Sequence, residues 1–335
     1  MNPLRVFLTV AFTFLVCGSA VAKTVVVKFA SVAPKGTTWD ISIRDIDEKW
    51  RAASGGTVRM QVFAGTLGDE SDIMRRMRIG QIDAALVTVA ALSSIDSDLT
   101  GMNIPMAFAT DEELDYVWQR MMPRWEARLR DKGYIVLNWG TAGWVRFFTK
   151  APVERIDDLR ALKLFIWTTG EATSTERLWK RMGFQPVPLS SIDILPGLQT
   201  GMISAFQSPP LMALGNQWFP FTGWMSDLKW GPLIGATIVR TETWNRIPPK
   251  LRATLEAITR DKGVEMIAVV RRMEQEAVAA MVKYGLKVVT VPPEALEEWQ
   301  REVERLYPTI RGTMIPAAPF DEVLRLRDDY RANAP

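Results

Sequence analysis

The chain has 335 residues, 47% of them hydrophobic, with 41 Lys and Arg against 38 Asp and Glu and a formal net charge of +3. It holds no histidine and one cysteine, which removes the commonest general base and metal ligand and excludes zinc sites and every Ser-His or Cys-His arrangement. Charges of both signs are mixed along the chain, so no concentrated basic patch points to a nucleic-acid partner, and the length suffices for about two domains.

The chain opens with one positive charge, Arg5, then an uncharged apolar run from Val6 to Val16, then Ala20-Val21-Ala22. A charged start, a short apolar stretch and small residues at a cleavage point are the parts of a secretion signal. Residues 1–22 are therefore expected to be removed, leaving Lys23 as the mature N-terminus and a periplasmic protein. The sole cysteine, Cys17, would leave with them. Leu15-Val16-Cys17-Gly18 has some likeness to a lipoprotein site, but Val16 stands where a small residue is needed. Disulfides, cysteine nucleophiles, metals and other cofactors are not expected in the mature protein.

Thr24 to Ala30 reads as a buried strand, and Trp39, Ile43, Ile46 and Trp50 follow with helical spacing until Gly55-Gly56. Val58, Met60 and Val62 alternate with polar residues as a second strand, Ser71 to Ile79 is a helix, and Ile82 to Val89 is a third strand. Strand–helix–strand rhythm implies a mainly parallel sheet flanked by helices. The rhythm restarts after Gly133, with strands expected at 134–139, 144–149, 162–167 and 203–206 and a helix over 171–182. Pro248-Pro249 then starts a helix whose apolar stripe includes Leu255, Val270, Ala277, Met281 and Tyr284 before Gly285. At 1.5 Å per residue it is roughly 50 Å long, enough to lie across two lobes. A last strand at 286–291 and a helix over 293–306 complete the reading. The fold expected is α/β and two-lobed, with a ligand cleft between the lobes. Lobe I takes 23–143 plus about 235–270, and lobe II takes 144–234 plus about 271–330.

Few motifs suggest catalysis. Ser226 and Lys229 have the S-x-x-K spacing of serine hydrolases that manage without histidine, but the S-D-N and K-T-G companions are missing. Asp69-Glu70, Asp111-Glu112-Glu113 and Asp157-Asp158 precede helices and read as caps. The composition is unusual in tryptophan, 13 against 5 Tyr. Trp50, Trp118, Trp179 and Trp299 sit on helical periods and read as core. Trp139, Trp144, Trp167 and Trp218 lie near strand ends or turns, where α/β lobes form their ligand crevice.

Ser31 to Trp39, Ser54 to Val58, Gly65 to Glu70 and Met77 to Ala84 resemble the opening segments of the DctP-like receptors of TRAP (tripartite ATP-independent periplasmic) transporters. Asn103 to Phe108, Asp157 to Lys163 and Leu198 to Ile203 resemble further family segments in the same order. The resemblance implies a receptor, not an enzyme, whose lobes close on a small molecule and deliver it to membrane permease subunits. A monomer is expected. It also exposes departures: Phe165 stands where the family carries a carboxylate-binding arginine, and Val145 where a second arginine is usual, with Arg146 on the opposite strand face. The expectation is a ligand with a substantial apolar part, held by Trp39, Leu67, Trp144, Phe165, Trp167, Trp218 and Phe219, with Gln207 and Arg146 at its polar end. The alternatives are an organic-acid receptor using Arg146 and, from another class, a serine hydrolase using Ser226 and Lys229.

Overall fold

A computed structural model describes residues 24–167 and 173–333. The expected signal segment with Cys17 and the expected turn at Gly170 lie outside the described residues. In chain order the strands are β1 (Val25–Ser31), β2 (Val58–Ala64), β3 (Ala84–Thr88), β4 (Tyr134–Thr149), β5 (Lys163–Trp167), β6 (Gln185–Leu189), β7 (Ala205–Ser208), β8 (Trp224–Ser226), β9 (Gly231–Arg240) and β10 (Lys287–Val289). The helices are α1 (Thr38–Ala53), α2 (Glu70–Arg78), α3 (Val89–Leu92), α4 (Asp111–Asp131), α5 (Ile156–Arg160), α6 (Thr173–Arg181), α7 (Ile194–Thr200), α8 (Pro210–Gly215), α9 (Thr241–Arg246), α10 (Pro249–Lys283), α11 (Pro293–Glu304), α12 (Tyr307–Ile310) and α13 (Ala317–Asn333). Among the described residues no helix is long and apolar enough to cross a membrane.

The strands run in the order β2-β1-β3-β9-β4-β7-β5-β6, with β8 on β4 and β10 on β8. β2-β1-β3 and β7-β5-β6 are the two parallel blocks, and β9 and β4 join them through antiparallel ladders. β4 is one strand where two were expected. Residues Tyr134–Thr141 pair with β9, and Arg146–Thr149 pair with β7, with a register shift between Thr141 and Trp144. Gly143 sits in that shift at φ +100, a backbone shape open mainly to glycine. β9 was not anticipated, because Gly231, Pro232 and Gly235 break its apolar pattern.

The long helix is present as expected, 35 residues from Pro249 to Lys283. Leu255 enters the core formed by α1 and β1–β2, including Phe29, Ile43 and Trp50, while Met281 enters the core of the other block with Phe148, Phe165 and Phe206. Trp50 Nε1 donates to Leu255 O and to Thr259 Oγ1, both at 3.0 Å. Lys262 pairs with Asp45 at 2.6 Å and Arg271 with Asp115 at 2.6 Å. Tyr284, read as the end of the buried stripe, is 80% exposed. Helix α13 packs on α4, with Tyr330 against Tyr116 (ring centroids 5.3 Å) and an Arg331–Glu113 ion pair.

Gly263 is the tightest seat in this arrangement. A Cβ there would lie 2.7 Å from Asn138 Cβ and 3.0 Å from Trp139 O, so α10 meets β4 almost backbone to backbone. Alanine inside a helix normally stabilises by about 0.5–1 kcal/mol over glycine. Gly263→Ala is predicted to reverse that sign and cost about 1–3 kcal/mol through overpacking. Chemical denaturation of the variant measures it, and a stability equal to or above that of the parent contradicts the close contact.

Candidate functional site

A cavity of about 1320 Å³ opens where the carboxyl ends of the two parallel blocks face each other. On one side it is bordered by Ser31 to Pro34 after β1, Gly65 after β2 and Thr88 at the end of β3. On the other it is bordered by Trp167 at the end of β5, Ser190 to Ile192 after β6, and Gln207 of β7. Strand β4 supplies the floor from Asn138 to Ala142, and β9 from Gly231 to Gly235. Two opposed sets of strand ends make the crevice expected of α/β lobes.

Several groups fix this geometry. Asp69 caps α2, accepting from the backbone N–H of Ser71 (2.9 Å) and Asp72 (3.1 Å), as its position before a helix implied. Across the cleft, Ser190 Oγ donates to Asp69 Oδ2 at 3.5 Å. Burial raises the Asp69 carboxyl, but the hydrogen bonds from Ser71, Asp72 and Ser190 outweigh it and hold it below the usual carboxylate value. Glu70 accepts from Thr88 N (2.7 Å) and Thr88 Oγ1 (2.5 Å), yet burial prevails and pushes its carboxyl up. Ser31, a residue that borders the cavity and is 1% exposed, has a buried hydroxyl with no hydrogen-bond partner among the described residues. A buried orphan hydroxyl is costly unless a ligand or water meets it.

Of the residues singled out from the sequence, Trp39, Trp167, Gln207 and Trp218 border the cavity. The other five do not. Leu67 is half-buried against the core beside α2 and β3. Trp144 is 4% exposed and donates from Nε1 to Asp111 at 3.1 Å. Phe219 is in the core of the second block. Arg146 points away from the cavity: its guanidinium donates to Asp227 O and lies 3.7 Å from Glu274. It is Val145, on the other strand face, that borders the cavity. Burial pushes the Glu274 carboxyl above its usual value, and the Arg146 charge offsets only part of that rise. Phe165 is fully buried, packed edge-on beneath Trp167 at 5.2 Å between ring centroids, so it supports the cavity wall from behind. Sequence reasoning missed Ser31, Asn138 and Thr141. Ser31 directly follows an expected strand and Asn138 lies inside one, so both carried a usable signal, while Thr141 fell between two expected strands.

Ser226 and Lys229 do not form a nucleophile–base pair. Ser226 is 1% exposed and its Oγ accepts from Leu228 N, while Lys229 Nζ donates to Ala109 O at 3.0 Å and lies 4.6 Å from the Trp144 ring centre. Among the described residues bordering the cavity the cations are Arg75 and Arg78, both on exposed positions of α2, and Arg75 is tied to Asp72 at 2.5 Å.

Since Phe165 is core, Phe165→Arg is predicted to unfold or severely destabilise the protein, by more than the roughly 3–5 kcal/mol of a Phe→Ala truncation. Phe165→Leu should cost less. Denaturant titration of both variants separates the cases. An arginine variant with parental stability and new affinity for succinate would show that this face of β5 opens to the cleft.

The pattern of the DctP family, bacterial extracellular solute-binding proteins of family 7, matches residues 29–312. The chain is 28% identical over 170 residues to the uncharacterized protein YiiZ of Salmonella typhimurium, a match spanning 49% of this chain and 50% of that one. It is 21% identical to the 2,3-diketo-L-gulonate-binding periplasmic protein YiaO of Escherichia coli, over 75% of this chain and 76% of the relative. The fold superposes on that of the sugar acid binding protein DctPAm from Advenella mimigardefordensis, in complex with galactonate, with a TM-score of 0.84 at 15% identity, covering 92% of this chain and 99% of that one. The chain belongs to the DctP family of bacterial extracellular solute-binding proteins and is an extracytoplasmic solute receptor of the TRAP type.

Proposed function

We propose that this receptor takes a ligand with a substantial apolar part and holds its polar end through neutral hydrogen-bonding groups, without an arginine–carboxylate clamp. The observation that carries the reading is the make-up of the cavity wall. Trp39, Trp139, Trp167, Trp179, Trp218 and Trp230 border it, and the two cations present lie on the exposed side of α2. Aromatic walls reward apolar surface, whereas a carboxylate withdrawn from water without a guanidinium is costly. Gln207 and the orphan Ser31 hydroxyl are the polar groups suited to a neutral head.

Closure follows from the same layout. The two blocks are joined by β4, β9 and α10, and the register shift at Thr141–Trp144 is the point in β4 where rotation is absorbed most easily. Ser190 and Asp69, on opposite walls, already lie within hydrogen-bond reach at 3.5 Å. The receptor would hand its ligand to the membrane permease of a TRAP transporter after export to the periplasm.

The relatives supply the competing reading. YiaO is named for 2,3-diketo-L-gulonate and DctPAm was solved with galactonate, both sugar acids. An acid-binding site in this chain would have to recruit Arg75 or Arg78. Mass spectrometry of material purified from the native host identifies the ligand, and calorimetric titration then compares variants. Trp39 and Trp167 are half-buried, so Trp39→Ala and Trp167→Ala should keep the fold and weaken binding at least about ten-fold. If these variants bind normally while Arg75→Ala or Arg78→Ala abolishes binding, the receptor is an acid receptor.

A further inference from the structure

A second pocket, of about 290 Å³, lies at the end of β3 opposite Thr88, where Ala84 pairs with Val239. Three cations border it from three elements: Arg78 at the end of α2, Lys132 just after α4, and Arg240 at the end of β9. One carboxylate, Glu242, stands with them, so two positive charges are left over. Backbone pairing fixes the frame. Tyr134 is the cross-strand partner of Arg240, Thr241 N donates to Gly133 O at 2.9 Å, and Arg240 N donates to Asp83 O at 2.9 Å. Gly80, at φ +74, makes room for the Arg240 guanidinium, since a Cβ there would lie 2.8 Å from Nη1. Arg240 Nη2 pairs with Glu242 at 2.6 Å, whereas Arg78 and Lys132 have no carboxylate within ion-pair reach among the described residues. The nearby Asp83 carboxylate is already engaged by Lys28 N, Thr243 and Arg246.

Two hydroxyls stand beside these cations without partners. Tyr134 borders the pocket at 8% exposure, and its hydroxyl has no hydrogen-bond partner among the described residues. Burial holds that hydroxyl above its usual value although the Arg78 and Arg240 charges oppose the rise, so it stays a donor. Thr241 Oγ1 is buried and likewise unpaired. Unmet donors and uncompensated like charges in a half-enclosed site cost free energy, which an acceptor-rich anion relieves. We infer that this pocket binds a phosphate-type oxyanion, supplied as free inorganic phosphate or as the headgroup of an anionic lipid. Two excess charges, with donors arriving from several residues, match a dianion with three acceptor oxygens better than chloride or acetate. The inference does not depend on how the solute cleft is read, although the Arg78 side chain borders both.

The test uses the full mature protein in two arms. Calorimetric titration with inorganic phosphate at slightly alkaline pH, against sodium chloride at matched ionic strength, probes the free ion. Flotation with vesicles of phosphatidylglycerol in phosphatidylcholine, against phosphatidylcholine alone, probes the lipid. Saturable binding is expected in at least one arm. Lys132→Gln should weaken it at least about ten-fold and Tyr134→Phe about five-fold, the loss of one charge-assisted and one neutral hydrogen bond. Lys132 is exposed and Tyr134→Phe keeps the ring, so both variants should fold, which circular dichroism checks. Phosphate binding without vesicle binding identifies the free ion as the source, and the reverse identifies the lipid. No saturable binding in either arm overturns the proposal. So does binding that both variants retain, and so does binding weakened by Lys132→Gln but untouched by Tyr134→Phe, which is unspecific attraction to surface charge.

Discussion

Helix α10 meets β4 at Gly263, where the missing Cβ lets the helix backbone come within contact distance of Asn138 and of the Trp139 carbonyl. From that seat its N-terminal half delivers Leu255 into one core and its C-terminal half delivers Met281 into another. Asn138 Nδ2 also donates to Thr259 O at 3.0 Å, fastening the helix to the strand whose next residues form the cavity floor. The cleft exists because the two blocks share β4, β9 and α10 and are otherwise separate along their strand ends. A flexible linker would leave their separation undefined, whereas three continuous elements limit relative movement to bending.

Strand alternation then decides which side chains the ligand can meet. Along β4, Val145 turns to the cavity and Arg146 turns away to Glu274 and Asp227. Along β7, Phe206 enters the core, stacked on Phe148 at 4.9 Å, while Gln207 borders the cavity. Phe165 and Trp167 sit on one face of β5 with their rings edge-on, and of the two Trp167 alone borders the cavity. The electrostatic consequence is a cleft whose interior acids are already engaged, Asp69 by its cap and Ser190, and Glu70 by Thr88. Its interior offers no buried guanidinium among the described residues.

Much of this was readable from the residues. The strand–helix rhythm of the first block, the Asp69 cap and the long helix after Pro249 are local patterns, and they locate the strand ends where Trp39, Trp167, Gln207 and Trp218 gather. Trp144 and Phe219 failed as cavity residues because a tryptophan near a turn can equally anchor a core or a hydrogen bond, here to Asp111. Strand β9 was illegible because its place between β3 and β4 is set by long-range pairing, with Gly235 passing close to Val87 O. The packing of residues 102–106, α6, Trp230 and α11–α12 into one core could not be read at all, because these segments are far apart in sequence; Tyr307 Oη donating to Pro105 O ties two of them together.

The most direct test of a cleft without a carboxylate clamp is a crystal structure of the protein isolated with its native ligand. The account predicts ligand density against Trp39, Trp167 and Trp218, with hydrogen bonds to Gln207 or Ser31 and no ion pair to an arginine. A ligand carboxylate held bidentately by Arg75, Arg78 or any other guanidinium would contradict it.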